Sequence, residues 1–195
     1  MLKRLGVAVA VLLVFVACGD GGKAAADAAM AALQSSYDAV KADAATYFPD
    51  QTRRLEEAFA SARDTLAKGE YGKTIDEVRG LAGMVGDLRV AVAARRAELV
   101  KAWDELTARV PAAVESLQKQ ADALARTKKL PDGVTKDAVD AARAAVPALA
   151  ASWAEAVAAF KSANLTDATA KAQALKGKSA EIMASLGMTV PDALK

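Results

Sequence analysis

Apolar residues recur along the chain at three- and four-residue steps almost throughout, and no stretch alternates with the two-residue period of a strand. Met30, Leu33, Tyr37 and Val40 mark a first helix over residues 24–46, which Phe48-Pro49-Asp50 breaks. Leu55, Phe59, Ala62 and Leu66 share one face of a second helix, and Lys68-Gly69-Glu70 gives it a glycine stop. The longest pattern follows. Tyr71, Ile75, Val78, Ala82, Val85, Val92, Leu99, Trp103, Leu106 and Val110 keep a seven-residue rhythm up to Pro111, where the helix is expected to end. At 1.5 Å per residue such a helix would run roughly 60 Å.

Two features disturb that long pattern. Gly80, Gly83 and Gly86 recur at three-residue spacing. They predict either a close approach by another helix, a local break, or a hinge. Arg89 and Arg96 fall on the apolar seam. If the seam stays buried they need acceptors and could meet an anionic ligand or a partner's carboxylates; if the helix outruns its neighbours they extend into water.

Beyond Pro111, Val114, Leu117, Ala121 and Leu124 predict another helix, stopped at Leu130-Pro131-Asp132-Gly133. Thr135 is placed to cap the next, which carries Val139, Val146, Leu149, Trp153, Val157 and Phe160. Pro147 should kink or split it. Asn164-Leu165-Thr166-Asp167 reads as a turn and cap, and Leu175, Ile182 and Leu186 define a last helix that frays after Gly187. The expected fold is therefore all-α: antiparallel helical hairpins or a bundle with one long helix.

The pattern also hints at duplication. Phe48-Pro49-Asp50 and Leu130-Pro131-Asp132 lie 82 residues apart, while the connection at 66–71 and that at 160–165 lie 94 apart. Two similar helical units over 24–110 and 111–195 follow, with about a dozen extra residues in the second around Pro147. The stretch from Leu66 to Ile75 resembles the inter-helix turn of a tetratricopeptide repeat, with Gly69 and Tyr71 suitably placed, although Thr74 stands where that family has a small alanine. No 34-residue period accompanies it.

Composition reinforces helix and narrows the chemistry. Hydrophobic residues make up 53% and aromatic ones 5%; alanine, the best helix former, dominates the former. Histidine is absent, which removes the commonest general base and transition-metal ligand. One cysteine excludes an internal disulfide and a multi-thiolate metal site. Adjacent carboxylates such as Glu56-Glu57 and Asp104-Glu105 point in different directions on a helix, so neither forms a paired acid–base site. No catalytic, cofactor or metal residues are assigned, and an enzyme is not expected.

The N-terminus has its own logic. Met1-Leu2-Lys3-Arg4 is a short positive region, and residues 5–16 form an apolar run too short to span a membrane as a permanent helix. Phe15-Val16-Ala17-Cys18 closes it and resembles the lipobox of bacterial lipoproteins. Phe15 departs from the usual leucine, and Ala17 and Cys18 fit. The resemblance implies that residues 1–17 are a cleaved signal peptide and that Cys18 carries lipid at the mature N-terminus. It further implies a membrane anchor facing the periplasm or the extracytoplasmic side. Residues 18–23 then read as a flexible tether. Asp20 resembles the inner-membrane retention signal of enteric bacteria, and inner and outer membrane both stay open. Of 26 basic and 24 acidic residues, Lys3 and Arg4 lie in the leader, so the mature chain is formally neutral and offers no electrostatic footprint for nucleic acid.

Without catalytic residues, and with a long neutral helical face, the chain is expected to be a non-enzymatic scaffold or adaptor for another envelope protein. The competing expectation is a small-molecule or lipid-binding module, with a cavity beside Trp103 or Trp153.

Overall fold

The computed structural model describes residues 21–194. The expected signal peptide, the Phe15-to-Cys18 motif and the first part of the expected tether lie outside the described residues. Six α-helices account for nearly all of the rest: α1 (Gly21–Asp38), α2 (Lys41–Tyr47), α3 (Pro49–Ala67), α4 (Tyr71–Ala125), α5 (Lys136–Lys161) and α6 (Leu165–Ser185). A 3-10 turn, Asp192–Leu194, follows, and no strand occurs among the described residues. The chain forms two compact units that divide between Val92 and Ala93.

The first unit contains α1, α2, α3 and the start of α4, around a core that includes Met30, Leu33, Tyr37, Leu55, Phe59, Val78, Leu81 and Val85. Gly21, Gly22 and Lys23, expected in the tether, belong instead to the first turns of α1. There Gly22 lies against Tyr71: a Cβ on it would sit 3.7 Å from the Tyr71 side chain. The expected helix over 24–46 is interrupted. Val40 leaves the helical region at φ −125° and caps α2, where Ala44 is fully buried. The next boundary follows local rules. Phe48, preceding proline, is driven out of the α region (φ −138°, ψ 59°), and Pro49 takes the first position of α3, where its missing N–H costs nothing.

The second unit contains the remainder of α4 with α5 and α6, around Trp103, Leu106, Val110, Leu117, Val146, Leu149 and Leu175 among others. Thr135 caps α5 by accepting the Ala138 N–H, and Asn164 caps α6 by accepting that of Asp167. α4 does not end at Pro111 and α5 is not split at Pro147: both helices pass through their prolines without interruption. Each proline removes one hydrogen bond, from the carbonyl of Thr107 or Arg143, a defect of about 3 kcal/mol in a helix interior. Both prolines, Thr107 and Arg143 are exposed, so water can satisfy those carbonyls, while Val110, Leu117, Val146 and Leu149 hold the flanking turns in the core. Packing outweighs the local defect.

Burial and backbone geometry repeat along the chain. A shift of 94 residues matches buried positions of the α3–α4 hairpin with those of α5–α6: Thr52 with Val146, Leu55 with Leu149, Ala62 with Ala156, Leu81 with Leu175, and Val92 with Leu186. The connecting turns match bond for bond. Gly69 N–H donates to the Leu66 carbonyl and Glu70 N–H to that of Thr65; Ala163 and Asn164 donate to Phe160 and Ala159 in the same pattern. Both are Schellman turns with a left-handed residue, Gly69 at φ 77° and Ala163 at φ 63°. The turn that resembles a tetratricopeptide connection thus recurs after 94 residues rather than 34.

A shift of 80 residues matches Ala26, Met30, Leu33, Tyr37 and Ala44 in α1 and α2 with Leu106, Val110, Ala113, Leu117 and Leu124 in α4. α4 therefore serves as the last helix of the first unit and the first helix of the second. The two shifts differ by 14 residues, and the extra length sits in the connector at 126–135 and the opening turns of α5, not around Pro147. Pro147 itself falls within the matched stretch, opposite Arg53.

Candidate functional site

The positions singled out in the sequence fall into three separate places. Arg89 lies in the first unit on α4 and is exposed. The buried seam of α4 runs through Val85, Leu88 and Val92, so Arg89 stands one position beside it. Arg96 belongs to the second unit and is also exposed, between Val92 and Leu99 of the seam. Neither guanidinium is in a core, so neither is driven to seek a buried counter-charge. The neighbouring Arg95 pairs with Glu98 at 3.1 Å on the surface.

The glycine ladder lies on the open side of α4. A Cβ at Gly80, Gly83 or Gly86 would meet nothing within 4 Å, so the expected close helix approach does not occur within the described residues, and the helix does not break there. Met84 and Val90 share this uncovered portion of α4. Met84 is 44% exposed and Val90 71%. In the second unit, Ala93, Ala97 and Val100 floor a shallow groove edged by Arg96, Lys101 and Asp104. Sequence periodicity missed this face because alanine and glycine carry little hydropathic contrast.

Trp103 and Trp153 do come together, but as packing. Trp103 is sandwiched between Trp153, at a ring-centroid distance of 5.4 Å and 3° between planes, and Phe160, at 4.6 Å and 8°. Trp103 is buried, with Trp153 and Phe160 half-buried on α5. The three rings occupy one another's faces where a ligand cavity was expected. A different cleft of about 330 Å³ opens beside Pro147, lined by Gln118, Ala121, Asp122, Arg143, Ala144 and Val146. Arg143 Nε donates to Asp122 Oδ1 at 3.2 Å within it, and both side chains are substantially solvated. The proline was the only sequence signal for this cleft.

One polar cluster of the first unit was not foreseen. The buried Tyr37 hydroxyl donates to Glu56 Oε1 at 3.2 Å, and Glu56 meets Lys41 Nζ at 2.7 Å. Lys41 Nζ in turn lies 5.7 Å from the centre of the Tyr37 ring. Burial, assisted by the Glu56 charge, pushes the Tyr37 phenol up to about 12. The hydrogen bond and charge of Lys41 hold the Glu56 carboxyl below its ordinary range. A phenol that keeps its proton is a fixed donor, suited to tying α1, α2 and α3 together rather than to proton transfer.

Among the described residues, no group of carboxylate, cysteine or histidine side chains is arranged to hold a metal ion, and no helix is long and apolar enough to cross a membrane. Cys18, the expected lipid attachment point, lies outside them. Comparison with family models, with curated proteins and with solved structures finds no match.

Proposed function

We propose that the protein is a lipid-anchored component of the bacterial cell envelope that acts without catalysis, as a helical scaffold or adaptor for another envelope protein. The anchor rests on the likeness of Phe15-Val16-Ala17-Cys18 to a lipobox, and on the apolar run and positive start that precede it. The adaptor role rests on one structural observation above others: Val90 stands 71% exposed on the uncovered part of α4, beside glycines that leave room for another backbone. Exposed apolar side chains in a setting of small residues suit helix pairing. The rival reading, a small molecule or lipid held beside Trp103 and Trp153, has less support because the rings stack on each other.

Affinity capture from detergent-solubilised membranes of the native host tests the adaptor role, with the Val90→Glu variant beside the natural chain. A protein recovered by the natural chain and lost with the variant supports it. Recovery of no specific protein, or of the same proteins by both, overturns it. Mass spectrometry of the native protein tests the anchor, which requires an absent leader and an acylated Cys18 sulfur.

A further inference from the structure

The first helix begins close behind the expected anchor. Only Gly19 and Asp20 stand between Cys18 and Gly21, the first residue of α1. Even a fully extended chain covers at most about 11 Å over that step, so lipid on Cys18 would hold the start of α1 at a membrane surface. Other parts of the first unit meet α1 there. Gly22 lies against Tyr71, the first residue of α4, and a Cβ on Gly69 of the α3–α4 turn would sit 3.8 Å from the Tyr71 hydroxyl. α3 runs antiparallel to α1, since Gln34 accepts from Arg63 while Tyr37, further along α1, donates to Glu56. The start of α1, the end of α3, the turn and the start of α4 therefore share one end of the unit.

That end is basic and the opposite end acidic. Residues 21–24 and 64–74 carry Lys23, Lys68 and Lys73, all exposed, against Asp64 and Glu70, and Glu70 meets Lys73 at 3.2 Å. The N-termini of α1 and α4, against the single C-terminus of α3, add partial positive charge. At the far end, residues 38–57 hold five acidic side chains and three basic ones. Tyr71, half-buried among the lysines, is a residue type that favours the level of lipid headgroups.

We propose that this end of the first unit, with Lys23, Lys68 and Lys73 beside Tyr71, rests on anionic phospholipid headgroups. The proposal rests on the anchor reading and adds which face of the unit meets the bilayer and which lipid chemistry it takes. Each lysine near an anionic surface strengthens binding roughly fivefold. Three of them, offset in part by Glu70, hold a free chain only weakly, but an anchor keeps the face at high local concentration. α1 then carries Lys41 and α2 up to roughly 27 Å from the surface.

The chain from Cys18 to Lys195, which contains every described residue, can be coupled through its only thiol to a maleimide lipid in vesicles. The coupling supplies the anchor chemically, so the outcome does not depend on whether the native sulfur is acylated, which mass spectrometry of the native protein decides. Amine labelling under single-hit conditions, read by mass spectrometry, compares phosphatidylcholine vesicles with and without phosphatidylglycerol. Lys23, Lys68 and Lys73 are expected to label at least about fivefold more slowly with phosphatidylglycerol present, and Lys41 to change by less than about twofold. With Lys68→Gln and Lys73→Gln combined, the slowing at Lys23 should shrink at least about threefold. Equal slowing of Lys41, no slowing of the three lysines, or slowing of Lys23 unaltered by the double variant overturns the proposal.

Discussion

The two units share a frame and differ in what fills it. The α3–α4 and α5–α6 hairpins bury matching positions and close with the same turn, yet the occupants diverge. The first unit buries Thr52, Thr65 and Thr74, each hydroxyl satisfied by the carbonyl four residues earlier. The second places Val146, Ala159 and Ala168 there. Tyr37 and Phe59, 5.3 Å apart, anchor the first core, while the corresponding positions hold Leu117 and Trp153, and the aromatic weight moves to the Trp103 stack. The spacing of buried positions and the left-handed turn residue are what the frame requires. Side-chain identity is free as long as volume is filled and polar atoms are satisfied.

The comparison breaks most sharply at Trp103. Trp103→Ala removes the middle ring of the stack and should cost about 3–5 kcal/mol. The loss should fall on the second unit alone. Both tryptophans lie there and all three tyrosines, Tyr37, Tyr47 and Tyr71, lie in the first, so Trp153 fluorescence follows the second unit while far-ultraviolet circular dichroism follows both. A separate, lowered fluorescence transition is expected in the variant. A single coincident transition by both probes would mean that the units unfold as one.

Alkaline pH should act on the other unit. The Tyr37 phenol titrates near 12 when folded and near 10 when unfolded. Above pH 10 the unfolded chain gives up this proton while the folded chain keeps it, so stability is intact below pH 10 and declines as pH rises toward 12. The slope is at most about 1.4 kcal/mol per pH unit. Chemical denaturation at pH 8, 10 and 11.5 should show the first unit weakening, and Tyr37→Phe should flatten that dependence. Because the second unit has no tyrosine, its transition reports any other alkaline effect.

Much of this frame was legible in the sequence. Pro49 and Gly69 bound α3 where residue chemistry places them, and Thr135 and Asn164 cap as their types predict. The misreadings came from rules that are local where the outcome is tertiary. Pro111 looks like a stop and Pro147 like a kink or a split, but each loses one hydrogen bond that water can replace, against several packed side chains in adjoining turns. Placing the second unit after Pro111 then hid the dual role of α4. The stacking of Trp103 with Trp153 depends on the antiparallel register of two helices, which no local pattern specifies.

The paired turns offer a subtler contrast. Gly69 and Ala163 hold the same left-handed conformation, which glycine adopts freely and alanine at a cost of about 1–2 kcal/mol. Gly69→Ala should therefore destabilise the first unit by about 1 kcal/mol. Ala163→Gly should stabilise the second by about 0.5 kcal/mol, since relief of strain is partly offset by the greater freedom of glycine in the unfolded chain. Opposite signs from reciprocal substitutions would establish the turns as equivalent; equal signs would break the equivalence.

A last contrast concerns a position, buried in both units, where the second unit is the polar one. Val85 in the first core corresponds to Ser179 in α6, which is fully buried, with its Oγ lacking a hydrogen-bond partner. Thr169 on the same helix shows the ordinary solution, donating to the Leu165 carbonyl at 2.6 Å. A buried hydroxyl without a partner has lost its water and gained nothing in exchange, a penalty of about 1–3 kcal/mol in mutational series. Ser179→Ala removes that atom at almost no volume and improves helix propensity, while giving up whatever transient bond the hydroxyl makes as it rotates. The net gain should be about 0.5–1 kcal/mol, seen as a higher melting temperature by tryptophan fluorescence. A loss of stability would mean that the hydroxyl has a bonding role with no counterpart at Val85, and the two cores would then differ in more than their filling.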